Sequence, residues 1–289
     1  MIRGAARRAA PIVVVLLGLV GMWYAAALAL DLRAGQALAG SGASPQALIA
    51  AAWSLERPLL PAPHQVAQAV WSGLFGEPLG SARSLLYHAG VTALTAALGF
   101  ALALVFGIAL AVSIVHVRTL DRSLMPWVVA SQTVPVLAIA PMVVVVLGNI
   151  GLTGVLPKAL IAGWLSFFPI TTAMVTGLRS PDRMQFDLMR TYSASGRDIF
   201  AKLRWPASMA FLFAGVKVAA TLAVVGAIVA ELPTGAQAGL GARLLAGSYY
   251  GQTLQIWAAL IAAALLTLLA VGAADCAQRV LVARRGGRL

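Results

Sequence analysis

The chain has 289 residues, 61% of them hydrophobic and 10% charged, with a mean hydropathy of +0.90. Soluble domains carry roughly a quarter charged residues, so a water-soluble globule is excluded, and a single cysteine (Cys276) excludes a disulfide scaffold. A net charge of +12 would suggest nucleic acid as the partner of a soluble protein, but here the charges bracket long apolar runs and point to a membrane instead.

Those runs predict six spans, at about 11–30, 90–114, 124–147, 156–178, 207–230 and 254–275. Each reaches the ~20 residues that carry a helix across a hydrocarbon core of ~30 Å. In lipid a segment must satisfy its own backbone hydrogen bonds, so these are helices rather than strands. Arg3, Arg7 and Arg8 precede the first run, Pro11–Leu30. It exceeds the roughly 7–15 apolar residues of a signal peptide, so it reads as an uncleaved span. In the following segment, 31–85, Leu59-Leu60-Pro61-Ala62-Pro63 is an extended stretch. Val66, Ala69, Val70, Gly73 and Leu74 then recur at helical spacing, predicting a short amphipathic helix packed on the bundle.

In the second span Gly99 and Gly107 read as close-packing points. Pro135 and Pro141 interrupt the backbone hydrogen bonding of the third span, which suits either a path-lining helix that bends or a static kink. Lys217 is alone within the fifth. A mid-span lysine costs ~2.5–3.5 kcal/mol on insertion scales, so it must face protein, water or an interface. It either lines a translocation path and favours an anion, or snorkels to the inner end or pairs with a neighbouring helix's carbonyls.

Orientation follows from the basic residues. With the N-terminus inside, the inner segments hold fifteen Lys and Arg, the outer segments five. Both ends are therefore expected in the cytoplasm.

The inner segment 179–206 carries the strongest local signal. Ser180-Pro181-Asp182 is a helix start. Phe186, Met189 and Tyr192, then Ile199, Phe200 and Leu203, recur at three- and four-residue spacing with arginines between them. The pattern predicts two short amphipathic helices joined around Ser193–Gly196. They either rest on headgroups or dock a soluble partner, and composition leaves both open.

This stretch resembles the cytoplasmic loop of binding-protein-dependent ABC importer permeases, whose pattern is Glu-Ala-Ala, three residues, Gly, nine residues, Ile, one residue, Leu-Pro. Asp187 stands for the Glu, Leu188 and Met189 for the alanines, Ser193 for the Gly, Leu203 for the Ile and Trp205-Pro206 for the Leu-Pro. Spacing is kept throughout, and Pro206 is identical. Tyr192-Ser193-Ala194-Ser195 with Leu203-Arg204-Trp205-Pro206-Ala207 is similar to the nitrate/sulfonate/taurine branch. So are Leu60-Pro61-Ala62-Pro63 with Val66, and Thr92, Gly99, Gly107 and Pro126. Pro135 and Pro141 with Gly148, Phe167-Phe168-Pro169 with Gly177-Leu178, Gly215-Val216-Lys217, Ala230-Glu231-Leu232 and Gly239-Leu240-Gly241 fit as well.

The resemblance implies an all-α membrane protein with about six transmembrane helices, a type I ABC importer permease-like bundle. Its parts are a tail, first span and outer loop over 1–58, the permease domain over 59–279, and a basic tail over 280–289. The implied localisation is the bacterial inner membrane. The implied partners are cytoplasmic ATPase subunits, an extracytoplasmic substrate-binding protein, a second copy of this chain and lipid, with no nucleic acid. The loop would be the coupling element, with Asp187, Met189, Tyr192, Ser193, Ala194 and Pro206 meeting the ATPase. Lys217, Pro135 and Pro141 would stand on the path. The cargo would be a small solute, nitrate-, sulfonate- or taurine-like or related.

Enzyme chemistry finds little support in the residues. Lys158, Lys202 and Lys217 each lack the preceding Gly of a phosphate-binding loop, so ATP would be used by a partner and no cofactor is expected here. Gly163-Trp164-Leu165-Ser166 is half a nucleophile motif, but Phe168 stands where its closing Gly belongs. His64, His88 and His116 fall in loops or at span ends, and no His/Cys/Asp/Glu group has metal-ligand spacing. An ion-gradient-driven secondary transporter is the alternative. Glu231 and Asp275 lie at span ends, which leaves no mid-span carboxylate for proton coupling.

Overall fold

The computed structural model describes residues 2–40, 42–232 and 237–284, with side chains over 11–283 less the two gaps. Among the described residues there is no strand. The described residues form twelve α-helices: α1 (Ile2–Ala39), α2 (Pro45–Ala52), α3 (Pro63–Trp71), α4 (Leu85–His116), α5 (Arg118–Ala130), α6 (Val136–Asn149), α7 (Val155–Arg179), α8 (Arg183–Thr191), α9 (Gly196–Ile199), α10 (Trp205–Glu231), α11 (Leu240–Tyr249) and α12 (Thr253–Arg284). Among the described residues, five helical stretches are long and apolar enough to cross a bilayer. A sixth crossing is made if the bent pair Arg118–Thr133 and Val136–Asn149 counts as one.

The chain divides into two units. One comprises Met1–Tyr87 with Arg243–Ala262. Its organising feature is how α1 holds the extended stretch before α3. Asp31, buried within α1, accepts hydrogen bonds from the Leu59 and Leu60 backbone N–H groups at 2.7 and 3.2 Å. The Trp23 indole N–H donates to the Pro61 carbonyl at 3.0 Å, and its ring lies 5.0 Å from that of Trp257. The amphipathic helix predicted after Pro63 is present as α3, with Val66 buried. The short helix α2, started by a Ser44 cap, was not predicted, because Gln46 is its one polar side chain and gives it no polar face.

The other unit comprises His88–Ala242 with Ala263–Leu289. Its centre is α7 against α10. Ile170, Met174 and Leu178 on α7 and Ala219 and Ala227 on α10 are fully buried. Small residues set the spacing, as van der Waals contact between helices in lipid requires. A Cβ at Gly215 would stand 2.6 Å from the Pro169 carbonyl oxygen, and one at Gly99 of α4 would stand 2.6 Å from that of Ala159. A Cβ at Gly107 would meet Ile170 at 3.0 Å, so both α4 glycines are packing points against α7.

Two expectations need correction. The third span is not one continuous helix over 124–147. Pro135 lacks the N–H that would continue the turn, and α5 and α6 meet across it at 102°. The second helix of the inner segment is not a separate piece either. Gly196 onwards runs through a π turn at Phe200–Arg204 directly into α10.

Candidate functional site

The segment joining α7 to α10 is built by local capping. Asp182 accepts from the Gln185 N–H at 2.9 Å while the Gln185 side chain accepts from the Asp182 N–H at 3.1 Å, so α8 starts with a reciprocal box. At its other end the Ser193 N–H donates to the Arg190 carbonyl at 2.8 Å and the Ala194 N–H to that of Met189 at 3.0 Å. These are the two bonds of a Schellman termination, which needs a left-handed residue at its centre. Ser193 supplies it with φ of 51°, at the position where the resemblance has Gly. Ser195 then caps α9 in a box with Asp198, and Lys202 pairs with Asp198 at 2.7 Å.

This frame fixes which side chains face outward. Phe186 and Met189 turn inward and are half-buried, and the Arg204 guanidinium lies 5.1 Å from the centre of the Phe186 ring. Met184, Leu188 and Tyr192 form an apolar stripe at four-residue spacing, 76, 57 and 77% exposed. Of the residues singled out from sequence, Asp187, Tyr192, Ser193 and Pro206 are exposed, Ala194 is half-buried, and Met189 lies on the inner face. Asp187 pairs with Arg190 at 3.3 Å. Met184 was not singled out from sequence and Leu188 only as a motif position, although their spacing to Tyr192 was available.

Pro135 lies exposed at the break before α6, and Pro141 is half-buried within α6. Lys217 forms an ion pair with Asp275 of α12 at 2.5 Å. Of the alternatives its isolation within the span left open, pairing with backbone carbonyls is replaced by this side-chain partner. Opposite charges on α10 and α12 answer each other.

The outer end of α10 holds a polar cluster that its sequence position only hinted at. Glu231 is fully buried. The Thr92 hydroxyl of α4 donates to both of its carboxylate oxygens at 3.0 Å, and the Gly241 N–H of α11 donates at 2.9 Å. The Leu240 N–H donates to Thr92 Oγ1 at 2.8 Å, and the Gly239 N–H to His88 Nδ1 at 3.0 Å. The first amides of α11 are thus satisfied by side chains from elsewhere in the chain, with Glu231 favourably set against the helix dipole. Gly239 has φ of 121°, and a Cβ there would collide with the Glu231 carboxyl group. Positions 233–236 of the expected outer loop lie outside the described residues.

On the first unit, a cavity of about 600 Å³ is lined by Glu77, Arg83, Arg243, Tyr250 and Gln252, among others. Burial lowers the pKa of Arg243 from its ordinary value, and the charge of Glu77 opposes the shift.

Residues 103–287, which include α7, α8, α10 and Glu231 but not His88 and Thr92 of its cluster, match the family described as binding-protein-dependent transport system inner membrane component. The chain belongs to this family. It is 34% identical over 184 residues to a formylaminopyrimidine transport permease of Halalkalibacterium halodurans, covering 63% of this chain and 68% of that one. It is 32% identical over 225 residues to a riboflavin transport system permease of Chloroflexus aurantiacus, covering 78% and 80%. A putative aliphatic sulfonates transport permease of Bacillus subtilis is 27% identical over 177 residues, covering 61% and 62%. Membership makes the chain a multi-pass inner-membrane subunit of an ABC importer, a transport component rather than an enzyme. It implies a substrate-binding protein and an ATPase as partners.

Proposed function

We propose that this permease couples to its ATPase through α8 and the turn that follows it. The observation that carries this reading is the stripe of Met184, Leu188 and Tyr192, apolar and exposed on a helix capped firmly at both ends. An isolated apolar stripe on a short helix is poorly placed in water, and a groove on a soluble partner removes that cost. Asp187 adds an acid on the same helix, and Ser193 and Ala194 permit close approach beyond it. Pro206 starts the span that would carry the movement.

The rest of the reading follows from the same arrangement. Both ends of the chain face the cytoplasm, so that α8 meets the ATPase, and the basic residues support this. Arg3, Arg7, Arg8, Arg284, Arg285 and Arg288 contribute to that bias, although their side chains lie outside those described. Two copies of the chain form the pore, with Pro135, Pro141 and Lys217 near the path. ATP is used by the partner, and this chain binds no cofactor. The outer segments 31–85 and 231–252 receive the binding protein. The cargo is a small solute, nitrate-, sulfonate- or taurine-like or related, and the binding protein does most of the selecting. The names of the relatives support that breadth, because they span a pyrimidine, a flavin and sulfonates.

The test is crosslinking from Leu188→Cys in a Cys276→Ser background to the ATPase in the assembled transporter. A crosslink that changes with bound nucleotide is expected. Labelling of that cysteine only from the extracytoplasmic side would overturn the proposal.

A further inference from the structure

We propose that the cavity of the first unit binds a small zwitterion, with its acidic group on Arg243 and Arg83 and its amino group on Glu77. The cavity, about 600 Å³, lies between the end of α3 with the π turn Ser72–Gly76, α11 and the start of α12. That volume is in the range of small-molecule sites. All its lining residues belong to one unit of the chain.

The walls divide by residue type. Ala69, Ser72, Gly73 and Gly76 line the α3 side, where small side chains leave room for a ligand. Leu85, Leu254 and Ala258 supply an apolar part. The charged part is Arg243 with Arg83 and Glu77.

The guanidinium of Arg243 is held in place without being neutralised. The Gln255 amide, turned so that its oxygen faces the arginine, accepts from both terminal nitrogens at 2.6 and 2.8 Å. In that orientation its own nitrogen donates to Gln252 Oε1 at 2.8 Å. The Ala82 carbonyl accepts from Arg243 Nη1 at 3.5 Å. These acceptors are neutral, and Arg243 Nε is buried with no hydrogen-bond partner among the described residues. Arg83 adds an exposed second cation, and among the described residues neither arginine is in an ion pair. A half-buried guanidinium fixed by neutral oxygens is ready for a carboxylate or sulfonate, which answers its charge and its remaining N–H together.

Glu77 decides what else the ligand carries. It lines the same cavity, and its negative charge acts on Arg243. An inorganic anion would answer the arginines and set a second negative charge against Glu77. A carboxylate reaching in from a partner protein would do the same. A solute with an acidic group and an amino group answers both signs. This inference deepens the cargo reading above by naming a solute class, and it rests on that reading only for the choice of a sulfonate probe.

The test is equilibrium dialysis of full-length permease in nanodiscs, without binding protein, against labelled taurine, β-alanine, ethanesulfonate or ethylamine. Taurine is expected to bind saturably with a Kd of about 1 mM, the weak regime of a ligand with few atoms. Ethanesulfonate, which lacks the amino group, should bind about tenfold more weakly, the usual effect of losing a hydrogen bond to a charged group. Ethylamine, which lacks the acidic group, should not saturate. Arg243→Gln should weaken taurine by about tenfold or more. Arg83→Gln, at an exposed position, should weaken it by a smaller factor and keeps the test open if Arg243→Gln does not fold. Glu77→Gln should weaken taurine while leaving ethanesulfonate unchanged or tighter, whereas a folding defect would weaken both. Binding of β-alanine but not taurine would support the site and overturn the sulfonate cargo. No saturation by either zwitterion up to ~10 mM, or equal affinity for taurine and ethanesulfonate, would overturn the proposal. Loss of binding-protein capture in Arg83→Gln/Arg243→Gln, with no zwitterion bound by wild type, would assign the cavity to a partner's carboxylate instead.

Discussion

The two ends of α10 are finished in opposite ways. At its start the polar groups are satisfied by neighbours in sequence, Asp182 with Gln185 and Ser195 with Asp198, and the apolar side chains Met184, Leu188 and Tyr192 are left exposed. At its finish Glu231 is fully buried, and it is bonded to Thr92, which lies 139 residues away. A locally capped segment can hold its shape while it moves relative to the bundle. A buried cluster that joins α4, α10 and the start of α11 cannot shift without exposing donors that have no other partner. The helix therefore combines one end suited to receiving a partner with one end fixed to its neighbours.

The largest expected effect breaks the fixed end. Glu231→Ala leaves the Thr92 hydroxyl and the Gly241 N–H buried without an acceptor, which costs about 2–5 kcal/mol at the usual penalty per orphaned group. Thermal unfolding of the purified protein in detergent measures it. A loss below about 1 kcal/mol would mean that water reaches the donors and the end is not fixed.

The second prediction breaks the free end. Leu188→Asp should reduce ATP-driven uptake in proteoliposomes by about tenfold or more, since centrally placed apolar contacts carry most of an interface. Stability should stay within about 0.5 kcal/mol, as for a surface change away from packing. A comparable loss of stability would show that the stripe packs within the chain.

The same contrast explains what could be read from sequence. The spans were legible because hydropathy is a local property, and the start of α8 was legible because Ser180-Pro181-Asp182 carries its own signal. The break at Pro135 was not, since apolar residues continue on both sides and hydropathy runs through it. The partners of Glu231 depend on how α4, α10 and α11 align, and no local pattern reports that alignment. Lys217 and Asp275 were each visible, but their pairing depends on the register of α10 against α12. Leu188 was recognised only as a motif position, which obscured its place on a stripe with Met184 and Tyr192.

A third prediction tests how far the free end relies on its caps. Asp182→Ala removes the acceptor for the Gln185 N–H and should cost α8 about 1 kcal/mol, the usual loss for an N-cap. The readout is faster amide hydrogen exchange over Arg183–Thr191, with exchange around Thr92 and Glu231 unchanged. Faster exchange at both ends would mean that the two are one cooperative unit and the contrast fails.

The smallest effect sharpens the comparison at a single backbone angle. Ser193 holds φ at 51°, where its Cβ crowds the backbone at a cost of roughly 1 kcal/mol that glycine avoids. Against this, glycine loses more freedom on folding, which returns part of the gain. The net expectation for Ser193→Gly is a stabilisation of about 0.5 kcal/mol, with slower exchange at the last amides of α8. The two Schellman bonds, from Ser193 to Arg190 and from Ala194 to Met189, use only backbone atoms and survive the change. If the variant is instead destabilised, the serine hydroxyl makes a contact that outweighs the strain, and this turn is held by more than its backbone.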